Sequence, residues 1–476
     1  MIKKIKRRVA GLSVQTKASI AYMFASVLTK GINVLMLPIY TRLLSTSEMG
    51  IVNNFTVWYA ILYVIVTLSL TTASMSIAMI DYKKEYEKYQ SVCLTISTVT
   101  SGIFCIIYIF TYSYINKVTT LTVPLMVIQI MLFIFNPALD SWYARQRFEY
   151  KYQSVVAVSA MITVLSVIVS VIAVYRAKNN GVEDLGTVRV IAQNSIVIMF
   201  GIFFWFKIML KGRVFWNQSM ATYALKLSLP LIIHTLAKNI LDASDRIMIT
   251  KLCGASAAGI YGTVYNISLV ATIIWTAINS AIVPDIFHNL KEGKTEVIAV
   301  LAKRILMIMA GATIIAILIS PEILLILTTK EYYSAVYMMP AILLGVYFTA
   351  VYGLYGNILM YYKKSVSIML ATCFAAIINL TLNYIFISLF GYMAAAYTTF
   401  ISFVLLAVMQ GIMQFRVTKK EIIPTKSVVL ISAGICILGL IINILYEKII
   451  VRYLILAFIF VVCFFYWDKL KNILKV

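Results

Sequence analysis

Apolar blocks near 20 residues long follow one another from Ala18 almost to the C-terminus, separated by short polar segments. A helix of that length matches the hydrocarbon thickness of a bilayer. Inside a membrane no water is present to satisfy backbone N–H and C=O groups, so only helices and closed barrels cross it. Barrel strands alternate apolar and polar residues, whereas these blocks are continuous. Composition agrees: the 476-residue chain is 62% hydrophobic and only 12% charged, roughly half the charge of an ordinary soluble protein. The expected fold class is an all-α polytopic membrane protein.

The blocks place spans at 18–40, 51–72, 91–111, 121–139, 154–175, 190–206, 227–249, 260–283, 299–319, 335–356, 367–389, 392–413, 428–446 and 450–467, about fourteen in all. A net charge of +23 would suggest a nucleic-acid partner in a soluble protein. Here the cations sit in short loops. With the N-terminus inside, 29 Lys and Arg residues fall on the cytoplasmic side, 10 fall outside, and Lys30 and Lys238 lie within spans. That bias follows the positive-inside rule, so both termini are expected in the cytoplasm, the chain in the cell (inner) membrane, and no nucleic acid as partner. The basic start MIKKIKRRVAGL precedes an apolar run too long for a removed signal, which reads as a retained first span. Six cysteines without CxxC spacing read as small core residues rather than disulfides or metal ligands.

A second pattern is internal. Sliding the chain by 209 residues lays Thr41 on Thr250, Leu43 on Leu252, Ser47 on Ser256, Gly50 on Gly259 and Ile51 on Ile260, with Arg42 over Lys251. Identity at five of eleven positions indicates a duplication. Six spans separate the copies, so both cross in the same direction, and parallel repeats of this kind usually enclose a central cavity. The expected organisation is a first lobe over 1–213, a second over 214–418, and a helical pair over 419–476, with no loop long enough for a soluble domain.

Polar residues inside the spans carry the functional expectations. Lys30 sits near the middle of span 1, where a charge facing lipid costs about 2.5–3.5 kcal/mol, and Tyr22, Ser26, Lys30 and Asn33 form one helical stripe. Span 7 repeats the pattern with Thr235, Lys238, Asp242 and Asp245. Both lysines have two readings: a structural cation paired with an acid, or a cation lining a cavity. Lys238 and Asp242 stand four residues apart and could neutralise each other. Alternatively, Asp242 and Asp245 could hold a coupling Na+ or H+. Arg42 and Arg246, at the outer ends of the two lead helices, mark the interface or meet an anionic head group. The basic segment WYARQRFEYKYQ after span 4 reads first as a topology signal near anionic lipid.

Signs of catalysis are weak. Gly293-Lys294-Thr295 ends like a phosphate loop, but His288 stands where its first glycine belongs and no strand precedes it. With two histidines in the chain, a metal or serine–histidine enzyme has little support, so no catalytic residue, metal or cofactor is expected.

LPIYTRLLSTSEMG after span 1, SDRIMITKLCGASAAGIY after span 7, and INLTLNYIFISLFGYMAAAYTTFIS across spans 11 and 12 carry a family likeness over 13–414. The chain resembles the polysaccharide flippases (Wzx-type O-antigen, capsule and exopolysaccharide translocases), grouped with lipid II flippases and MATE exporters in the MOP superfamily. The resemblance implies two six-helix lobes in a MATE-like V about a central cavity, plus a C-terminal pair, working by alternating access. It implies an undecaprenyl-pyrophosphate-linked oligosaccharide as substrate, carried from the cytoplasmic to the outer leaflet, with membrane lipids and a polysaccharide polymerase and chain-length machinery as partners. On that reading Lys30 and Lys238 engage phosphate, Asn33, Asn53 and Tyr22 touch sugar, and Arg42 and Arg246 stand by as further anion contacts. A MATE-type multidrug or cation antiporter and a lipid II-type flippase are the alternatives. A membrane glycosyltransferase is disfavoured by the short loops.

Overall fold

The computed structural model describes residues 14–465, and the chain there is helical with no strand among the described residues. The basic residues expected to mark both termini lie outside that range. Fourteen helices correspond to the fourteen expected spans. In the first half they are α1 (Val14–Leu35, continued by Leu37–Leu43), α2 (Thr46–Val66), α3 (Tyr86–Thr119), α4 (Val123–Phe148), α5 (Tyr152–Asn179), α6 (Leu185–Gly212) and α7 (Gln218–Cys253). The second half has α8 (Ala255–Ser268, resumed as Thr272–Lys291), α9 (Thr295–Leu318), α10 (Met339–Tyr361), α11 (Ser365–Phe390), α12 (Ala394–Thr418), α13 (Thr425–Ile444) and α14 (Ile449–Phe465). Thirteen are long and apolar enough to cross a membrane, and the last is a shorter apolar helix. Many run several residues past the apolar block that announced them, because the block marks only the part in hydrocarbon while the helix continues into polar residues.

The second span is the exception. The apolar run predicts a helix through residue 72, but α2 stops at Val66, and Leu68 and Ser69 take positive φ values of 53° and 46°. The sequence there is TLSLTTASMS, and hydroxyl side chains offer the backbone alternative partners. Thr67 Oγ1 donates to the Tyr63 carbonyl at 2.6 Å, and Ser97 on α3 donates to the Thr67 carbonyl at 3.2 Å. Irregular backbone at membrane depth is tolerated where protein covers it, and Thr67, Ser69 and Leu70 are buried.

By backbone contacts the chain falls into two compact units. The first ends at Thr250 and takes in Gly254–Gly259; the second comprises Lys251–Cys253 and the chain from Ile260 onward. In the first unit α6 packs against α2, α3, α4 and α5, while α1 packs on α5. Buried amides tie these helices together. Asn54 Nδ2 donates to the Thr119 carbonyl at 2.8 Å, Gln129 Nε2 to the Phe55 carbonyl at 3.0 Å, and Gln90 Nε2 to Ser141 Oγ at 2.8 Å. In the second unit α10 is the hub, packed against α8, α9, α12 and α13. Asn379 and Asn383 on α11 bond each other at 3.0 Å and reach Thr399, Ser402 and Thr398 on α12.

The last helix is anchored by charge. Arg452 on α14 is 3% exposed; its guanidinium grips both oxygens of Glu322 at 2.8 and 2.9 Å and donates to the Leu318 carbonyl at 2.7 Å. Hydrogen bonds from Arg452, the larger influence, hold the Glu322 carboxyl below the usual carboxylate range against the opposing effect of burial. A fork matching a carboxylate at two atoms fixes geometry as well as charge.

Candidate functional site

The polar turn after α1 is built by a reciprocal cap. Ser45 Oγ accepts from the Glu48 N–H at 3.2 Å, and the Ser45 N–H donates to Glu48 Oε2 at 2.6 Å. Ser45-Thr46-Ser47-Glu48 is thus the S-x-x-E signature of a helix start. Glu48 also accepts from the Leu185 N–H at 3.0 Å, joining the first turns of α2 and α6.

Against this turn lies its repeat, whose residues Gly254–Gly259 belong to the same compact unit. A Cβ on Gly50 would stand 1.9 Å from the Ala255 carbonyl oxygen, and one on Gly259 would stand 1.8 Å from that of Thr46. The 209-residue shift carries Thr46 to Ala255 and Gly50 to Gly259. Each glycine therefore meets the backbone at the position that its counterpart's partner occupies in the other copy. Such reciprocity is what a two-fold relation produces. Between them Thr46 Oγ1 and Ser256 Oγ share a hydrogen bond of 2.7 Å. Small residues let helix backbones approach this closely in a membrane.

The polar stripes lie on the two helices that lead into these turns. On α1, Ala18 and Ala25 are buried, while Ser26, Lys30 and Asn33 are exposed. Tyr22 is half-buried, its hydroxyl 3.5 Å from the carbonyl oxygens of Gln146 and Arg147. On α7, Asn239 donates to the Ala60 carbonyl of α2 at 2.8 Å, and Lys238 beside it is exposed. Among the described residues no carboxylate lies within 4.0 Å of the Lys30 or Lys238 ammonium, while Lys238 stands close enough to Asp242, one turn further along α7, for the two charges to interact.

Other expected residues are placed differently. Asn53 is 5% exposed, inside the helix packing of α2. Arg42 is exposed and folds onto the Pro38 carbonyl at 2.7 Å. Arg246 is 8% exposed: its Nη2 donates to the Asp242 carbonyl at 2.9 Å, its Nε lies 3.7 Å from Asp245 Oδ1, and its N–H donates to that same oxygen at 2.7 Å. Asp245 is fully buried and Asp242 half-buried.

One cluster escaped the sequence reading. Asp140 on α4 accepts from Tyr63 OH on α2 at 2.5 Å, and Asn136, one turn earlier, donates to Tyr59 OH at 3.0 Å. The two pairs keep matched four-residue spacings on facing helices, and that was the available signal. Asp140 fell one residue past the expected end of span 4.

Comparison with known proteins places this arrangement. The family described as "Polysaccharide biosynthesis protein" matches residues 16–290, and the MatE family matches residues 230–385. No curated protein matches the chain. Among solved structures, a lipid II flippase, MurJ, in an inward closed conformation aligns with a TM-score of 0.69 at 16% identity, covering 95% of this chain and 99% of that one. A multidrug resistance MATE transporter of the MOP superfamily in an inward-facing conformation aligns at 0.64 and 12% identity, over 85% of this chain and 98% of its own. An outward-facing MATE transporter aligns at 0.55 and 15% identity, over 87% and 98%. These likenesses establish the fold. A polytopic helical chain matched over more than half its length, the protein belongs to the family described as "Polysaccharide biosynthesis protein".

Proposed function

We propose that the protein moves an undecaprenyl-pyrophosphate-linked oligosaccharide from the cytoplasmic to the outer leaflet by alternating access. One observation carries this reading: two lysines within membrane spans, Lys30 and Lys238, are exposed on their helices, with no carboxylate within 4.0 Å of either among the described residues. Facing lipid, each would cost about 2.5–3.5 kcal/mol. Facing a water-filled path, each offers a fixed charge to a pyrophosphate that cannot cross hydrocarbon unaided. Asn33 and Tyr22 lie on the same stripe as Lys30 and supply hydrogen bonds to sugar, with Asn53 deeper in the packing. Arg42 stands at the outer end of the path. Arg246, Asp245 and Asp242 form a charged group on α7 suited to Na+ or H+ coupling. The Gly50–Gly259 crossing is the closure that separates when the path opens outward. On this reading both termini are cytoplasmic and the polymerase that consumes the flipped unit is the downstream partner.

The match of the MatE family to residues 230–385 favours a second reading, a cation or drug antiporter. Removing the protein from its host distinguishes the two. The flippase reading expects lost surface glycan, lipid-linked oligosaccharide held at the cytoplasmic leaflet, and unchanged drug tolerance. Intact glycan with several-fold lower tolerance to cationic drugs overturns it.

A further inference from the structure

Helix ends of the first unit surround a polar recess, a cavity of about 370 Å3 lined by Glu87 and Gln90 of α3, Arg145 of α4, Lys151 before α5, and Lys207 and Lys211 of α6. Arg145 and Lys151 come from the segment that the sequence marked only as a topology signal. The charges form a chain. Arg145 Nη1 donates to Glu87 at 3.0 Å and its Nε to Glu149 at 2.8 Å; Lys151 reaches Glu149 at 2.5 Å, and Lys211 lies 3.7 Å from Glu87. Burial works to raise the Glu149 carboxyl, but its hydrogen bonds to Lys151 and Arg145 outweigh that and hold it below the ordinary carboxylate range. Each carboxylate is thus shared between Arg145 and one lysine, Lys211 for Glu87 and Lys151 for Glu149, which leaves positive charge to spare for a further anion. Lys207 has no carboxylate within 4.0 Å among the described residues, and its ammonium sits 5.6 Å from the Phe203 ring centroid. Four cations against two carboxylates leave the recess with an excess of two positive charges.

The surface beside it is apolar. Phe203, Phe206 and Leu210 are 59%, 55% and 70% exposed and follow one another along one face of α6 next to Lys207 and Lys211. Helix-end lysines commonly extend to the membrane interface without binding anything in particular. A half-open, net-cationic recess whose lysines stand beside an exposed apolar stripe asks for more. We propose that this cavity binds the phosphate of an anionic membrane phospholipid, its head group among Lys207, Lys211 and Lys151 and its acyl chains along Phe203, Phe206 and Leu210. Basic pockets between membrane helices recognise phosphate head groups in this way. The site lies among α3, α4, α5 and α6 and does not depend on what the lysines of α1 and α7 carry.

The test is native mass spectrometry of the full chain released from detergent with phosphatidylglycerol, phosphatidylethanolamine or inorganic pyrophosphate. Phosphatidylglycerol is expected to be retained at least tenfold better than phosphatidylethanolamine. Lys207→Gln/Lys211→Gln should abolish that preference, whereas the control Lys363→Gln/Lys364→Gln keeps it. Both lysines of the test variant are exposed, so its thermal midpoint should match wild type. Equal retention of the two lipids, or undiminished phosphatidylglycerol in a normally folded test variant, overturns the proposal. Retention of pyrophosphate without phosphatidylglycerol also overturns it, assigning the cavity to a soluble anion.

Discussion

Lys30→Ala combined with Lys238→Ala should abolish surface glycan while leaving the protein's amount in the membrane unchanged. Both ammonium groups are exposed, Lys30 forms no ion pair within 4.0 Å among the described residues, and Asp242, the acid whose charge Lys238 acts on, keeps Arg246 beside it. Folding has little to lose, and removing an unpaired charge from a membrane span lowers the cost of insertion. On the proposed function, the substrate by contrast loses both fixed charges that offset its pyrophosphate. A charge-assisted hydrogen bond contributes about 1.5–3 kcal/mol, so each single variant should slow export by about ten- to a hundredfold. Lys30→Arg and Lys238→Arg keep the charge and should retain much of the activity. Glycan immunoblots alongside membrane-protein quantification read both quantities. Reduced protein with normal export per molecule would point to a structural role instead.

The second large effect concerns the crossing of the two repeated turns. Gly259→Ala places a methyl 1.8 Å from the Thr46 carbonyl oxygen, and Gly50→Ala places one 1.9 Å from that of Ala255. The obstacle in both cases is backbone, which cannot rotate away. Overpacking costs about 1–3 kcal/mol, occasionally more, and contacts this short against backbone belong at the upper end, while two conformations of a transporter differ by only a few kcal/mol. The closed crossing should therefore fall at least tenfold in population. Thr46→Cys/Ser256→Cys provides the readout, since the native hydroxyls are 2.7 Å apart, with Cys253→Ser removing the exposed thiol nearby. Oxidative cross-linking should be fast in this background and at least tenfold slower once Gly259→Ala is added. An unchanged rate would show that the turns do not depend on the glycines.

Why the spans were legible, and the breaks between them less so, follows from what each one depends on. Every expected span corresponds to a helix because hydrocarbon thickness and backbone hydrogen bonding leave one solution for 20 apolar residues. The end of α2 at Val66 was hidden because TLSLTTASMS remains apolar enough to pass for helix, while its hydroxyls and the covering of α3 decide otherwise. The cap at Ser45 and Glu48 was written plainly as S-x-x-E. Arg452 counted as one of the outward cations, yet it is buried on Glu322, a partner 130 residues away that no local pattern announces. The same limit applies to Asp140, whose partner Tyr63 lies 77 residues earlier. Repeat matching located Gly50 and Gly259 but could not show that each packs on the other copy's backbone, because spacing along a chain carries no information about which surfaces meet.

The most direct measurement uses purified protein in proteoliposomes loaded with fluorescent undecaprenyl-pyrophosphate oligosaccharide. A membrane-impermeant glycosidase added outside cleaves only glycan exposed on the outer leaflet. Wild-type protein should raise the accessible fraction beyond its initial outer-leaflet share, with Lys30→Ala/Lys238→Ala remaining at the level of protein-free vesicles. Movement of the glycan lipid at equal rates by wild type and double variant, or no movement by correctly folded wild type under any imposed Na+, H+ or electrical gradient, would contradict the account.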